Sequence, residues 1–452
     1  MRSTQSKSET NLAAFAERTR HRATCRLIPY LMFTYLLAYL DRANLAVAKL
    51  QMQTDLKLND AVIGLGAGIF FIGYFLLEVP GSLIVEHWSA RRWLARIMIS
   101  WGLIAALTGL IGTPLFGSLS LKLQFYLARF LLGAAEAGFF PGVIVYLSHW
   151  FCFEDRARAQ AYFMMTQPLA IILGVPLSRW ILETVHWAGL AGWRWVFILE
   201  GAPCVVLGFA TLFYLTDHPE EANWLSREEK NWLLARLQAE AQARAATRRV
   251  RWVEAFRTPR VLLLIAIYLL IVSGNQALVF FFPSITNAMK SMSVFWRTVA
   301  AILPYICSMG GILLNGLSAH RMQEQKWHTA LPMLCSGCAL ALAILSGPHV
   351  ALALLFFCLA GAASQAYLPA FWTLPTAFFG KSAAAAAIGL TNSFGNLGGF
   401  LGPYVFGYLR TATGRFSPGL WFLVACTLSA GLLAATLRLP PSLKVNNQNE
   451  NP

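Results

Sequence analysis

Charge is what this sequence has least of. Only 13% of its 452 residues are Asp, Glu, Lys or Arg, roughly half the share of an ordinary soluble domain, about 25%. With 57% hydrophobic residues the chain cannot clothe a water-facing surface, and it reads as a protein that crosses a bilayer many times. Acid is scarcer than base, 21 residues against 36, for a formal net charge of +15. That excess does not point to nucleic acid. The basic residues cluster between apolar segments, as the positive-inside rule expects of cytoplasmic loops.

Other absences narrow the class further. No cleavable signal peptide is expected, because the first 26 residues are polar and basic and the first apolar segment ends without a small-residue cleavage site. The eight cysteines lie mostly inside apolar segments, so no disulfide framework is expected. Cys335 and Cys338 form a CxxC, read on a membrane helix as packing residues and not as a redox or metal pair. Gly380-Lys381-Ser382 looks like the end of a phosphate-binding loop. Pro375 stands where that loop needs a glycine, so nothing supports ATP-driven transport. Glycines 64, 66 and 68 follow no strand and read as helix packing. There is no HExxH and no nucleophile elbow; the reading is no enzyme, no metal and no cofactor.

Against this scarcity, charge inside an apolar segment stands out. Leu27–Leu50 is long enough to cross a bilayer, yet it runs through Asp41 and Arg42. Asp41 lies about 21 Å from the start of the segment, where a charge costs about 2.5–3.5 kcal/mol and must face a polar interior or a partner. An ion or substrate site is the functional reading; a structural Asp–Arg pair holding two helices is the alternative.

Twelve spans are expected, near 27–48, 61–84, 94–114, 123–149, 159–182, 195–215, 260–283, 297–318, 329–347, 350–373, 383–409 and 418–438. The fold class is therefore an all-α membrane protein with two six-helix bundles. The expected division is an N-terminal tail 1–26, a first bundle 27–215, a central loop 216–259, a second bundle 260–438 and a C-terminal tail 439–452. Arg18, Arg20, Arg22 and Arg26 precede the first span, and Arg91, Arg92, Arg156 and Arg158 fall in turns that share its side. Both tails and the central loop are thus expected in the cytoplasm, with Lys49–Asp60 on the other side. In the central loop, Ser226 and Glu229 have capping-box spacing, predicting a helix to about Ala246. The basic run 248–251 reads as an orienting patch.

The halves carry traces of a repeat. Arg92-Trp93 and Lys326-Trp327 follow the second span of each half, and the fifth spans carry Gly174 with Pro176 and Gly402 with Pro403. Two halves with Gly/Pro-interrupted helices at corresponding places are the pattern of a secondary transporter. Charge is unequal between them. The first half holds Asp41, Arg42, Glu78, Arg129 and Glu136; the second offers amides and hydroxyls such as Asn275, Asn315, Gln365, Thr373 and Asn396. The ionic step is expected in the first half.

Arg129 and Glu136 stand two helical turns apart, so an unbroken fourth helix puts both on one face, about 10.5 Å apart along its axis. Two buried arginines suit a planar carboxylate, and two buried acids can each carry a proton. Mutual neutralisation for packing is the alternative. Glu78 and His149 read as structural, the latter complementing the end of the fourth helix.

At this point the sequence resembles a known family. LDRAN at 40–44, RxxxGxxEAGxxPG at 129–142, GWRW at 192–195 and SFGNLGGFLGP at 393–403 resemble the major facilitator superfamily. More narrowly they are similar to its anion:cation symporters, which include tartrate, hexuronate, galactonate, phthalate and hydroxyphenylacetate permeases and the vesicular glutamate transporters. The resemblance covers roughly Arg26 to Leu439. It implies a two-bundle rocker-switch fold and proton-coupled uptake of a small organic anion through the inner membrane. By the same resemblance Asp41 and Glu136 fall on protonatable positions and Arg42 and Arg129 on substrate-linked arginines. Tyr39, Tyr74, Gln167, Thr373 and Asn396 fall at or near cavity positions. The implied partners are the anion, protons and the lipid bilayer, with no nucleic acid, for a chain acting as a monomer. A facilitator or exporter of amphipathic compounds, and a non-transporting receptor of the same fold, are the rival readings. The family's DRxGxR loop is altered: Glu86 keeps the acid, Ser89 replaces the glycine, and His320 replaces an Asp in the second half. These departures bear on gating.

Overall fold

The computed structural model describes residues 2–152, 155, 159, 162–163, 165–245, 258–322, 324–378 and 381–438. The basic run 248–251, Gly380 and the C-terminal stretch 439–452 lie outside them, as do the side chains of Glu86 and His320. Among the described residues every regular element is helical.

The first half runs through α1 (Arg2–Asp55), α2 (Asp60–His87), α3 (Ala90–Thr108), α4 (Leu121–Glu136), α5 (Phe139–Trp150), α6 (Thr166–Thr184) and α7 (Gly192–Tyr214). A central helix, α8 (Arg227–Ala245), follows. The second half has α9 (Pro259–Asn287), α10 (Val294–Met322), α11 (Lys326–Leu345), α12 (Val350–Ser364), α13 (Leu368–Phe371), α14 (Leu374–Phe378), α15 (Lys381–Asn396), α16 (Gly398–Thr413) and α17 (Ser417–Ala435). Among the described residues nine stretches are individually long and apolar enough to cross a membrane. With α3, α6 and the α15–α16 pair they make twelve spans.

Several expected elements differ. Residues 2–26 are helical: α1 is 54 residues long, about 80 Å, more than twice the hydrocarbon thickness. Its excess projects beyond the bundle and docks on α8, where Arg22 donates to Glu229 at 3.0 Å and Phe15 meets Trp232 edge to face. The capping box closes as its spacing predicts, with Ser226 N donating to Glu229 Oε2 at 2.8 Å and Glu229 N to Ser226 Oγ at 3.2 Å. Span 4 is not one unbroken helix. Ala137 is extended and Gly138 has φ +84°, a left-handed conformation that glycine adopts without strain, so the chain breaks between α4 and α5. Span 11 breaks at Leu397 and span 10 unwinds around Gln365–Tyr367.

Small residues set how closely the helices meet. A Cβ on Gly133 would overlap the Phe70 carbonyl and one on Gly73 the Phe130 carbonyl, so α2 and α4 meet backbone to backbone. In each half the glycine of the fifth span packs on the first: Gly174 against Leu40, Gly402 against the Ser273 carbonyl.

The two halves join at the end of the bundle away from the chain's N-terminus. There Gly64 of α2 meets Pro403 and Gly407 of α16, and Ala61 N donates to Thr411 Oγ1 at 2.8 Å. Arg179 of α6 and Arg297 of α10 both donate to Asn287 Oδ1 of α9, at 2.8 and 3.0 Å. Lys49, expected in an exposed loop, is instead wholly buried in α1. Its ammonium lies 3.6 and 4.4 Å from the ring centres of Phe281 and Phe280 in α9. Helix α5 packs on α2, α3 and α8, all on its own side of the molecule.

Candidate functional site

Helices α1, α2, α3 and α4 bring the charged residues together in the middle of the first half. Arg42 of α1 donates from Nε (2.8 Å) and Nη2 (2.6 Å) to one oxygen of Glu136, Oε1, at the last residue of α4. The other oxygen, Oε2, is buried and has no partner among the described residues. The rings of Tyr39, Phe70 and Tyr74 surround the Arg42 guanidinium at 5.0, 5.3 and 5.1 Å. Such a box favours a cation in a dry setting.

Asp41 is 1% exposed and does not pair with its chain neighbour. Its Oδ1 accepts from Asn44 Nδ2 and its Oδ2 from Trp101 Nε1, both at 2.9 Å. Arg129, on α4, lies near enough to interact with both Asp41 and Glu136, and its guanidinium stands 5.0 Å above Phe70. It is 4% exposed, yet its Nε and Nη1 have no hydrogen-bond partner among the described residues. Buried guanidinium groups are ordinarily satisfied. This one holds unused donors beside an ion pair that has already formed.

The remaining expected residues separate. Tyr39 and Tyr74 line the Arg42 box. Gln167 donates to the Tyr35 hydroxyl at 2.8 Å, and that ring stacks on Phe163 and meets Tyr39. Gln167 is thus joined to the site through two tyrosines. Thr373 is exposed and its hydroxyl donates to the Ala370 carbonyl, 2.7 Å. Asn396 ends α15 and has no side-chain hydrogen bond among the described residues. The second-half amide that does engage is Asn392, one helical turn earlier, whose Nδ2 donates to Glu78 Oε1 at 2.9 Å. Glu78 is therefore a bridge between the halves, with Oε2 buried and without a partner among the described residues. His149 stacks near His218, ring centres 4.8 Å apart.

Other charges were missed. Glu200 of α7 is 5% exposed and accepts from Ser178 of α6 at 2.7 Å. Its signal is an acid five residues after the GWRW motif, inside an otherwise apolar run. Arg194, within that motif, donates to the carbonyls of Gly109 and Ile111 at 3.0 and 2.7 Å, closing the end of α3. Ser89, which replaces the family's loop glycine, caps α3 by accepting from Arg92 N at 3.1 Å and donates to Asp217 Oδ2 at 2.6 Å. Arg91 N donates to the other Asp217 oxygen at 2.8 Å. The loop is fastened within the first half through Ser89.

Comparison with known proteins agrees with this architecture. The Major Facilitator Superfamily profile matches residues 31–403. A putative tartrate transporter of Agrobacterium vitis is 38% identical over 435 residues, covering 96% of this chain and 94% of the relative. A quinolone resistance transporter of Acinetobacter baumannii is 38% identical over 404 residues, covering 88% and 90%. Among solved structures, the inward-open xylose transporter of Escherichia coli shares the fold at a TM-score of 0.72 with 13% identity, covering 93% of this chain and 98% of that one. Twelve spans in two halves, a cluster of intramembrane charge and these matches make the chain a multi-pass membrane transporter, and it belongs to the Major Facilitator Superfamily.

Proposed function

We propose that this transporter takes up a small organic carboxylate together with protons across the inner membrane. It acts as a monomer by alternating access, with both termini in the cytoplasm. The carrying observation is Arg129: a buried guanidinium with Nε and Nη1 unpartnered, next to a second arginine. A carboxylate offers the acceptors that these unused donors lack, and a planar guanidinium binds one more specifically than a point charge does. The tartrate transporter named among the relatives supports that substrate class.

The proton enters through Glu136. Its Oε1 holds both Arg42 donors while Oε2 has no partner among the described residues, so a proton has an oxygen to bind. Neutralising the carboxylate weakens its hold on Arg42 and frees those donors for the substrate. Loss of the substrate lets Arg42 return and expel the proton. Asp41, held by Asn44 and Trp101, balances Arg129 in the same way. In this orientation the joined ends of the halves lie on the outer side.

The test is a thermal-shift screen of purified protein against tartrate, sugar acids and aromatic acids, followed by uptake into proteoliposomes under a pH gradient. A ligand that binds the native state raises its melting temperature. Arg129→Lys keeps the charge but loses the fork, and should lose most of the shift. A protein that no carboxylate stabilises, and that accumulates none, overturns the reading. Export of amphipathic compounds is the second reading, favoured by the relative named as a quinolone resistance transporter. Gradient-driven efflux of such compounds would support it.

A further inference from the structure

A second carboxyl stands behind Asp41 that the transport cycle above does not use. Glu200 of α7 is buried, and its Oε1 accepts from Ser178 Oγ at 2.7 Å. Its Oε2 is also buried and has no partner among the described residues. Among the described residues, the groups that face it carry no positive charge. Helix α1 presents Asp41 and Asn44, and α6 presents Ser178. Helix α3 offers Gly102, Ala105 and Ala106 where it meets the neighbouring Gly201. On α7 itself, Cys204 Sγ donates to the Glu200 carbonyl at 3.4 Å.

The nearest basic residues in sequence are engaged elsewhere. Arg179, next to Ser178, goes to Glu183 and Asn287; Arg194 goes to backbone carbonyls and Asp55. An ionised carboxylate in an apolar interior without a counter-ion costs several kcal/mol, so it neutralises instead.

Asn44 gives the arrangement its logic. Its Nδ2 donates to Asp41 Oδ1 at 2.9 Å, which suits a charged Asp41. Its Oδ1 is buried and lacks a donor, as Glu200 Oε2 lacks one. Asn44 also reaches Glu200, so its side chain stands between the two acids.

We propose that Asp41 and Glu200 form a one-proton pair bridged by Asn44, with Glu200 holding the proton in this state. When Asp41 takes up the proton, the O–H bond at Glu200 breaks, one forms at Asp41, and the pair keeps its single negative charge. Glu200 is then a positioning residue that sets the protonation of Asp41 from behind. The inference rests on the proton-coupled reading only for its effect on transport.

Two measurements test it. Infrared difference spectra of the purified protein near neutral pH should show the carbonyl stretch of a buried protonated acid, lost in Glu200→Gln and retained in Glu136→Gln. In proteoliposomes, Glu200→Gln should shift the pH dependence of gradient-driven uptake by about one pH unit or more, a tenfold change in proton affinity. Its substrate counterflow should stay near wild type. Absence of the band in wild type, or its persistence in Glu200→Gln, overturns the proposal whether or not the variant transports. An unshifted pH profile also overturns it. Wild-type protein that shows the band but no gradient-driven uptake would overturn proton coupling and leave the Asp41–Glu200 pair standing.

Discussion

The two halves of this molecule bury polarity in different ways. In the first half the buried polar set includes Asp41, Lys49, Glu78, Arg129, Glu136, Arg179, Arg194 and Glu200. In the second half the buried polar residues among those described are Ser and Thr alone: Ser273, Thr286, Ser308, Thr329, Ser336, Ser346, Ser364, Thr391 and Thr427. Most of those hydroxyls donate to a carbonyl three or four residues back in their own helix, as Ser273 does to Leu269 and Thr427 to Leu423. A hydroxyl can be satisfied without any neighbour, whereas a charge needs a partner on another helix. The first half is therefore locked by cross-helix contacts such as Arg42–Glu136 and Trp101–Asp41, whereas the buried hydroxyls of the second are mostly satisfied within their own helices.

That contrast can be broken at four places. The largest effect is expected in the charged half. Glu136→Gln and Asp41→Asn should abolish accumulation driven by a pH gradient while leaving counterflow measurable, since exchange needs no return of the empty carrier. If these acids only neutralise arginines, the result differs: removing a buried partner costs roughly 3–5 kcal/mol and the variants fail to fold. Uptake, counterflow and melting temperature together decide between the two. Wild-type accumulation by both variants would end the proton role.

The seam between the halves comes next. A Cβ on Gly64 would overlap the Pro403 carbonyl, so Gly64→Val forces α2 and α16 apart at a cost of about 1–3 kcal/mol. Lower melting temperature and slower uptake are expected. Unchanged values of both would show that the joined ends have slack.

A smaller, pH-dependent effect is expected where α1 docks on α8. Burial pushes the Glu229 carboxyl up, but the Ser226 N–H, Arg22 and the Ser226 hydroxyl outweigh it and hold the group below its ordinary value. A carboxyl lowered in the folded state contributes stability that is complete above the unfolded value of about 4.3 and is lost as pH falls through the folded one. Proteolysis of the first turns of α1 should therefore accelerate on acidification below that range, and Glu229→Gln should show the same sensitivity at neutral pH. A cleavage rate independent of pH would remove the docking role.

The smallest effect belongs to the second half. Thr427→Val keeps the shape and removes a hydroxyl that serves only its own helix, by about 1 kcal/mol or less. Transport should be unchanged. A loss comparable to Glu136→Gln would mean that the second half also carries an essential polar element.

What could be read from the sequence follows a physical division. Asp41, Arg42, Arg129 and Glu136 were legible because charge inside an apolar run is costly and marks its own position. Glu200 has the same signature in weaker surroundings, a single acid after GWRW, and was passed over. Asn396 and Asn392 were not separable from sequence. Both are amides on α15, and only the approach of α2 puts Asn392 against Glu78. The break at Gly138 was hidden because glycine is also common within unbroken membrane helices.

The sequence by itself determined that this chain is a twelve-span carrier with its intramembrane charge concentrated in the first half. Hydropathy, the spread of basic residues and the rarity of intramembrane charge are one-dimensional quantities that the bilayer reads directly. Tertiary structure alone decided how those charges pair. Arg42 reaches Glu136 and not its neighbour Asp41, Asp41 turns to Trp101 and Asn44, and Arg129 keeps unused donors. It also decided that Lys49 is sealed against Phe280 and Phe281 at the joined ends. Pairing depends on which helix faces meet and how closely, and that is set by close contacts at Gly73, Gly133 and Gly174 with residues far away in the chain.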